Sequence, residues 1–86
     1  MRGYLYLIRS YNCKRPYLGS CFDVEKRIKE HNCGKNKSTK GKGPWLLDKC
    51  WVFDDIVKAR KAEYTIKKMK IKLSAEFIEK LVERPE

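Results

Sequence analysis

Residues 3–20, GYLYLIRSYNCKRPYLGS, carry the pattern on which the rest of the chain turns. Gly3–Arg9 is aromatic and aliphatic with partial alternation, the signature of a strand. Ser10–Arg15 is polar and turn-like. Pro16–Ser20 reads as a short second strand, with Pro16 tolerated at its first position. Six residues between the two make an antiparallel hairpin the natural pairing.

Outward from this hairpin the elements follow in order. Asp23 is a good N-cap, and Val24, Ile28 and His31 fall on one face of the helix it opens. Asn32–Pro44 (NCGKNKSTKGKGP) holds three glycines and Lys35, Lys37, Lys40 and Lys42, with almost nothing apolar. It predicts a long loop, and loops of this length inside a domain are usually functional or disordered. Trp45–Phe53 supplies a third strand, with Trp45 as a core anchor at its start. Asp54 and Asp55 cap a helix of about 17 residues over 56–72, whose acidic start and Lys-rich end both suit the helix dipole. Ser74 caps a last helix with Phe77, Ile78, Leu81 and Val82 as its buried stripe. The expectation is an α+β fold in the order β-β-α-β-α-α, a three-stranded antiparallel sheet flanked by helices. A length of 86 residues sets the expectation of one domain over 1–86.

Charge narrows the partner. The chain carries 21 Lys+Arg against 11 Asp+Glu, a net of +10. Residues 73–86 hold a net of −2, so the first 72 residues hold +12. Such density favours a polyanion, nucleic acid first and an anionic membrane surface second. With 42% hydrophobic residues the chain is no disordered tail. No apolar run reaches the roughly 18–20 residues of a membrane span, and the Tyr4–Ile8 run is too short for a signal-peptide core. Cys13, Cys21, Cys33 and Cys50 have gaps of 8, 12 and 17 residues with no C-x-x-C pair. That spacing predicts reduced thiols, two or three of them core residues, in an intracellular, reducing compartment (cytoplasm or nucleus).

The chemistry-bearing residues sit in this frame. Tyr6 and Tyr17 lie on paired strands, and Arg27 and His31 stand one turn apart on the first helix. Glu63 is an acid amid Arg60, Lys61, Lys67 and Lys68. It is either an i,i+4 partner for Lys67 or a metal ligand placed where phosphate arrives. Singly, each of these has a plain structural reading.

In order, they resemble the GIY-YIG nuclease superfamily from Gly3 to about Leu73. Tyr4-Leu5-Tyr6 stands at the GIY position and Tyr17-Leu18-Gly19 at the YIG position. The run from Asp23 through Arg27 to His31-Asn32 is similar to the D-x-x-x-R-x-x-x-H-N helix. Lys37-Ser38-Thr39 and Pro44-Trp45-Leu46-Leu47 resemble the K-x-T … P-W-x-L segment, and Ala62-Glu63 the region of the metal-binding glutamate. Departures are Tyr4 for the first glycine, Cys21 where threonine is frequent, and Ser38 for a frequent aromatic.

The resemblance implies a metal-dependent DNA endonuclease of repair, recombination or branched-DNA processing. One divalent ion, Mg²⁺ or Mn²⁺, would be held by Glu63 and would stabilise the leaving oxygen. Arg27 would contact the scissile phosphate, His31 would support by hydrogen bonding or accept a proton, and Tyr6 or Tyr17, weighted equally, would be the general base. Lys37, Thr39, Lys40 and Lys42, with Lys67, would hold the DNA, branched or nicked forms included. A protein partner for targeting belongs to the same expectation, and nothing in the sequence specifies an oligomeric state. Two other classes compete: a non-catalytic nucleic-acid-binding module acting through a partner subunit, and a basic membrane-surface protein using the helix over 55–72. An acid retained amid positive charge favours catalysis over the first. The modest stripe Ile56, Ala59, Ala62, Ile66 and Met69 fits a core-facing helix better than the second.

Overall fold

A computed structural model describes residues 2–37, 39–69 and 73–82. Its elements are β1 (Gly3–Ser10), β2 (Cys13–Cys21), α1 (Val24–Asn32), β3 (Leu46–Phe53), α2 (Ile56–Lys68) and α3 (Ala75–Val82). The sheet order is β2-β1-β3, with both pairs antiparallel. The predicted α+β class and element order are therefore those observed.

β1 is the central strand, and both of its faces are covered. Leu5 and Leu7 pack with Leu18, Trp51, Ile66 and Ile78 on the face covered by α2 and α3. Tyr6 and Ile8 pack with Cys21 and Trp45 on the other face, where Val24 and Ile28 of α1 lean against them. This double burial explains why β1 is a near-continuous apolar run and alternates only in part. Fully burying side chains such as Leu5, Leu7 and Ile8 contributes about 1.5–3 kcal/mol each.

The hairpin is tighter than its sequence suggests. β2 begins at Cys13, so the turn is Tyr11 and Asn12 and not the six polar residues 10–15. The ladder runs Ile8↔Tyr17 and then Ser10↔Cys13, with a register shift between them. That irregularity takes up the extra β2 residues, and Pro16 is accommodated inside the strand because β2 lies at the sheet edge.

The helix starts follow the capping residues. Asp23 accepts from Lys26 N–H at 3.1 Å, Asp55 from Val57 N–H at 3.0 Å, and Ser74 Oγ from Phe77 N–H at 3.2 Å. Of the predicted acidic pair, Asp55 is thus the cap of α2. This helix ends at Lys68 with Met69 as its C-cap, and residues 70–72 of the expected helix lie outside the described residues. In α3, Ile78 is fully buried and Leu81 and Val82 pack partly, but Phe77 is 40% exposed and leaves the predicted stripe. With eight residues, α3 turns only a narrow face to the sheet. All four cysteines are free: Cys21 is buried, Cys13 half-buried, and Cys33 and Cys50 are exposed.

Where α2 starts, Gly3 lets the helix approach the sheet. A Cβ at Gly3 would collide with the Ile56 backbone and its Cδ1. Gly3→Ala should therefore lower stability by about 1–3 kcal/mol, the usual cost of overpacking, in urea unfolding followed by circular dichroism. An unchanged midpoint would show that α2 shifts freely.

Candidate active site

The cross-strand register places the tyrosines. Tyr6 pairs with Gly19 and Ile8 with Tyr17, so both rings emerge on the α1 face of the sheet. Their centroids are 6.4 Å apart. Gly19 is the seat of Tyr6, because a Cβ there would lie 2.6 Å from Tyr6 Cζ and closer still to its hydroxyl. The glycine of the Tyr17-Leu18-Gly19 segment thus lets a phenol ring lie across the neighbouring strand.

α1 delivers His31 against both rings. Its imidazole lies 4.9 Å from the Tyr17 ring, edge-on, and 5.8 Å from that of Tyr6. Tyr6 Oη is 2.9 Å from His31 Nε2, and His31 Nδ1 is 2.7 Å from Thr39 Oγ1. Thr39 Oγ1 in turn points at the Asn36 carbonyl at 3.5 Å. Tyr6 and His31 are each 2% exposed and Thr39 is 1% exposed. Thr39 was expected to touch the DNA backbone. Thr39 lies buried against His31, whereas Lys37, Lys40 and Lys42 are exposed.

The long loop is built and not slack. Asn32 clamps Trp45 by accepting from its N–H at 2.5 Å and donating to its carbonyl at 3.2 Å. Trp45 Nε1 donates to the Thr39 carbonyl at 3.2 Å. Ser10 Oγ donates to the Lys42 carbonyl, and Asn12 Nδ2 to that of Gly43 at 2.6 Å. Sequence reasoning missed Ser10 and Asn12, because a turn residue bonded to a loop some 30 positions away leaves no local signal.

Arg27 stands one turn before His31 and remains solvent-accessible, with Glu30 Oε1 3.6 Å from its Nε. It borders a small cavity of about 70 Å³ together with Glu30, His31, Lys35 and Asn36. A larger cavity of about 320 Å³ lies by the hairpin turn, between Arg9, Lys14, Pro16 and Leu46, and holds none of the predicted site residues.

Glu63 approaches around the β2 edge from α2. Its Oε1 accepts from Ser20 Oγ at 2.6 Å and its Oε2 from Lys67 at 2.8 Å. Lys67 Nζ also sits 4.9 Å from the Tyr17 ring centre, which links Glu63 to the tyrosine pair. Of the two sequence alternatives for Glu63, the i,i+4 pair with Lys67 is the one formed in this structure. Such exposed pairs are worth about 0.3–0.5 kcal/mol. Among the described residues no group of three His, Cys, Asp or Glu could hold a metal. Glu63 is the one carboxylate that the sequence singled out as a metal ligand. Ser20 was also missed. Its signal was a polar residue paired with Leu5 on an apolar face.

Burial sets the electrostatics. It raises the Tyr6 hydroxyl well above the ordinary phenol value; Tyr17 adds to the rise and Arg27 only partly opposes it. It lowers His31 below 6.5, assisted by Arg27 and opposed by Glu30. Burial likewise raises the Cys21 thiol, which fits a structural cysteine. Tyr6 is thus a neutral phenol, and His31 a neutral imidazole, at neutral pH. Because the folded protein resists protonating His31 more than the unfolded chain does, its contribution to stability is full above about pH 6.5 and is lost as pH falls towards the lower folded-state value. The urea midpoint of the wild type should drop as pH falls below about 6.5, and His31→Gln should flatten that drop; equal slopes would contradict it.

The chain was also compared with known families and proteins. The family model described as the GIY-YIG catalytic domain matches residues 2–74. A UPF0213 protein of Vibrio parahaemolyticus is 46% identical over 66 residues, covering 76% of this chain and 61% of that protein. A second, from Vibrio campbellii, is 44% identical over 69 residues, covering 79% of this chain and 65% of its own. The chain thus spans less than two thirds of these relatives. The solution NMR structure of a UPF0213 protein from Bacillus halodurans is 38% identical, with a TM-score of 0.47, over 95% of this chain and 83% of that one. With its family model matched from strand β1 to the threshold of α3, the chain belongs to the GIY-YIG nuclease family.

Proposed function

We propose that this protein is a metal-dependent DNA endonuclease in which Tyr6 and His31 move the proton of the attacking water. The observation that carries the reading is the buried contact between Tyr6 Oη and His31 Nε2 at 2.9 Å. A phenol whose pKa is pushed up by burial is a poor base if it must first ionise. It is a competent one if its own proton leaves for His31 as it accepts the proton of water. Tyr17 has ring contacts to His31 and Lys67 and no hydroxyl partner among the described residues, which favours Tyr6 as the base and Tyr17 as the residue that positions water or phosphate.

Arg27 engages the scissile phosphate, where its planar fork suits two oxygens and its side chain is accessible. As the phosphorus–oxygen bond to the 3′ oxygen breaks, negative charge collects on that oxygen. Glu63 would hold the divalent ion, which when bound supplies Lewis-acid stabilisation there. Lys37, Lys40 and Lys42 on the loop and Lys67 on α2 neutralise backbone phosphates. Repair, recombination or branched-DNA processing, with a targeting partner, remains the reading of the substrate context. No helix among the described residues is long and apolar enough to cross a membrane, and four free thiols suit a reducing compartment.

The ion pair that occupies Glu63 supports one competing reading, a nucleic-acid-binding module without activity of its own. Nicking of plasmid and branched DNA with Mg²⁺ or Mn²⁺ decides between them. Tyr6→Phe should lower the turnover rate about 10²–10⁴-fold, the usual contribution of a general base, with DNA affinity retained. Glu63→Ala should remove metal-dependent cleavage. Equal cleavage by wild type and Glu63→Ala would refute the role of Glu63, and DNA binding without any cleavage would favour the binding module.

A further inference from the structure

We propose that Thr39 is a positioning residue that, with the backbone carbonyl of Asn36, holds His31 as the Nδ1–H tautomer. This deepens the reading above and rests on Tyr6 and His31 being its proton-transfer pair. The argument is a count of buried donors. Three polar hydrogens serve this line of atoms: the Tyr6 hydroxyl, one imidazole N–H and the Thr39 hydroxyl.

With the imidazole proton on Nδ1, two of the donors have close acceptors and the third faces a more distant one. Tyr6 O–H donates to His31 Nε2 at 2.9 Å, His31 Nδ1–H donates to Thr39 Oγ1 at 2.7 Å, and Thr39 O–H is left facing the Asn36 carbonyl at 3.5 Å. With the proton on Nε2 the order reverses. His31 then donates to Tyr6 Oη, Thr39 donates to Nδ1, and the Tyr6 hydrogen faces no protein acceptor among the described residues. Tyr6 is 2% exposed, and an unmet buried donor costs about 1–3 kcal/mol. The first arrangement is favoured on that ground.

The choice of tautomer decides what His31 can do. Only a bare Nε2 accepts the proton Tyr6 must release, so the Nε2–H form would block the transfer. Thr39 sits on the loop, not on α1, and its place is set twice. Its N–H donates to the Asn36 carbonyl at 3.2 Å, and its own carbonyl accepts from Trp45 Nε1 at 3.2 Å. Thr39 therefore touches no substrate and acts through His31.

His31 is the one histidine of the chain, so imidazole ¹⁵N–¹H correlation spectra of the full protein report it without ambiguity. Around it stand Tyr6 from β1, Tyr17 from β2, Arg27 and Glu30 from α1, and Lys35 from the loop; spectra are taken above about pH 7, where the ring is neutral. Wild type should show Nδ1 protonated and Nε2 bare. Thr39→Val, which keeps the shape and loses the hydroxyl, should shift the population towards Nε2–H and lower kcat about 10–100-fold, the range seen when a metal-bound histidine loses its outer partner, with KM for DNA unchanged. Thr39→Ser should restore both, and it stands in if Thr39→Val does not fold. An Nε2–H pattern in wild type, or Thr39→Val with tautomer or kcat unchanged, overturns the proposal. Failure of the nuclease reading shows separately, as Tyr6→Phe cleaving like wild type.

Discussion

The seat of Tyr6 on Gly19 is the contact on which the site depends. A ring that crosses onto the neighbouring strand needs a position with no side chain, and the register of β1 against β2 supplies one opposite Tyr6. That geometry aims the hydroxyl at α1 and fixes where a histidine must stand to meet it. His31 stands there because Asp23 starts α1 two turns earlier and because Val24 and Ile28 bind the helix to the same face. The loop then closes over the far side of the imidazole, pinned at Asn32, Trp45, Ser10 and Asn12.

Burial has a chemical consequence as well as a structural one. Removing Tyr6 and His31 from water disfavours the charged form of each, the phenolate in one case and the imidazolium in the other. In the proposed relay the pair takes up the proton of water: Tyr6 stays a neutral phenol, the added charge rests on His31 as imidazolium, and only the buried phenolate is avoided. Arg27 is near enough to influence both, favouring the phenolate and opposing the imidazolium, yet in Tyr6 its pull is smaller than the cost of burial. This is why His31 as proton acceptor matters more to the proposed chemistry than nearby positive charge does.

Glu63 sits under the opposite regime. It is 23% exposed and held by Ser20 and by the i,i+4 pair with Lys67, so the proposed metal role would require that pair to open. Lys67 belongs both to that pair and to the face of Tyr17, so the acid and the tyrosines share one cation across the β2 edge. The positive charge thus divides by place. The loop lysines face solvent, whereas Arg27 and Lys67 border the candidate site itself.

The sequence by itself determined the element order, the helix caps at Asp23, Asp55 and Ser74, and the central apolar strand, and it singled out Tyr6, Tyr17, Arg27, His31 and Glu63 as candidates. These were legible because periodicity, capping and motif spacing are local. It did not determine the two-residue turn at Tyr11 and Asn12, which depends on an irregular ladder beside Pro16, nor the exposure of Phe77. Nor could it place Thr39, whose neighbours in sequence are lysines and whose neighbours in space are an imidazole and an indole. Its loop position reads as a DNA contact, and in the fold its hydroxyl lies against the His31 imidazole. Which groups share a proton depends on distances of about 3 Å between residues far apart in the chain, and only the tertiary structure sets those.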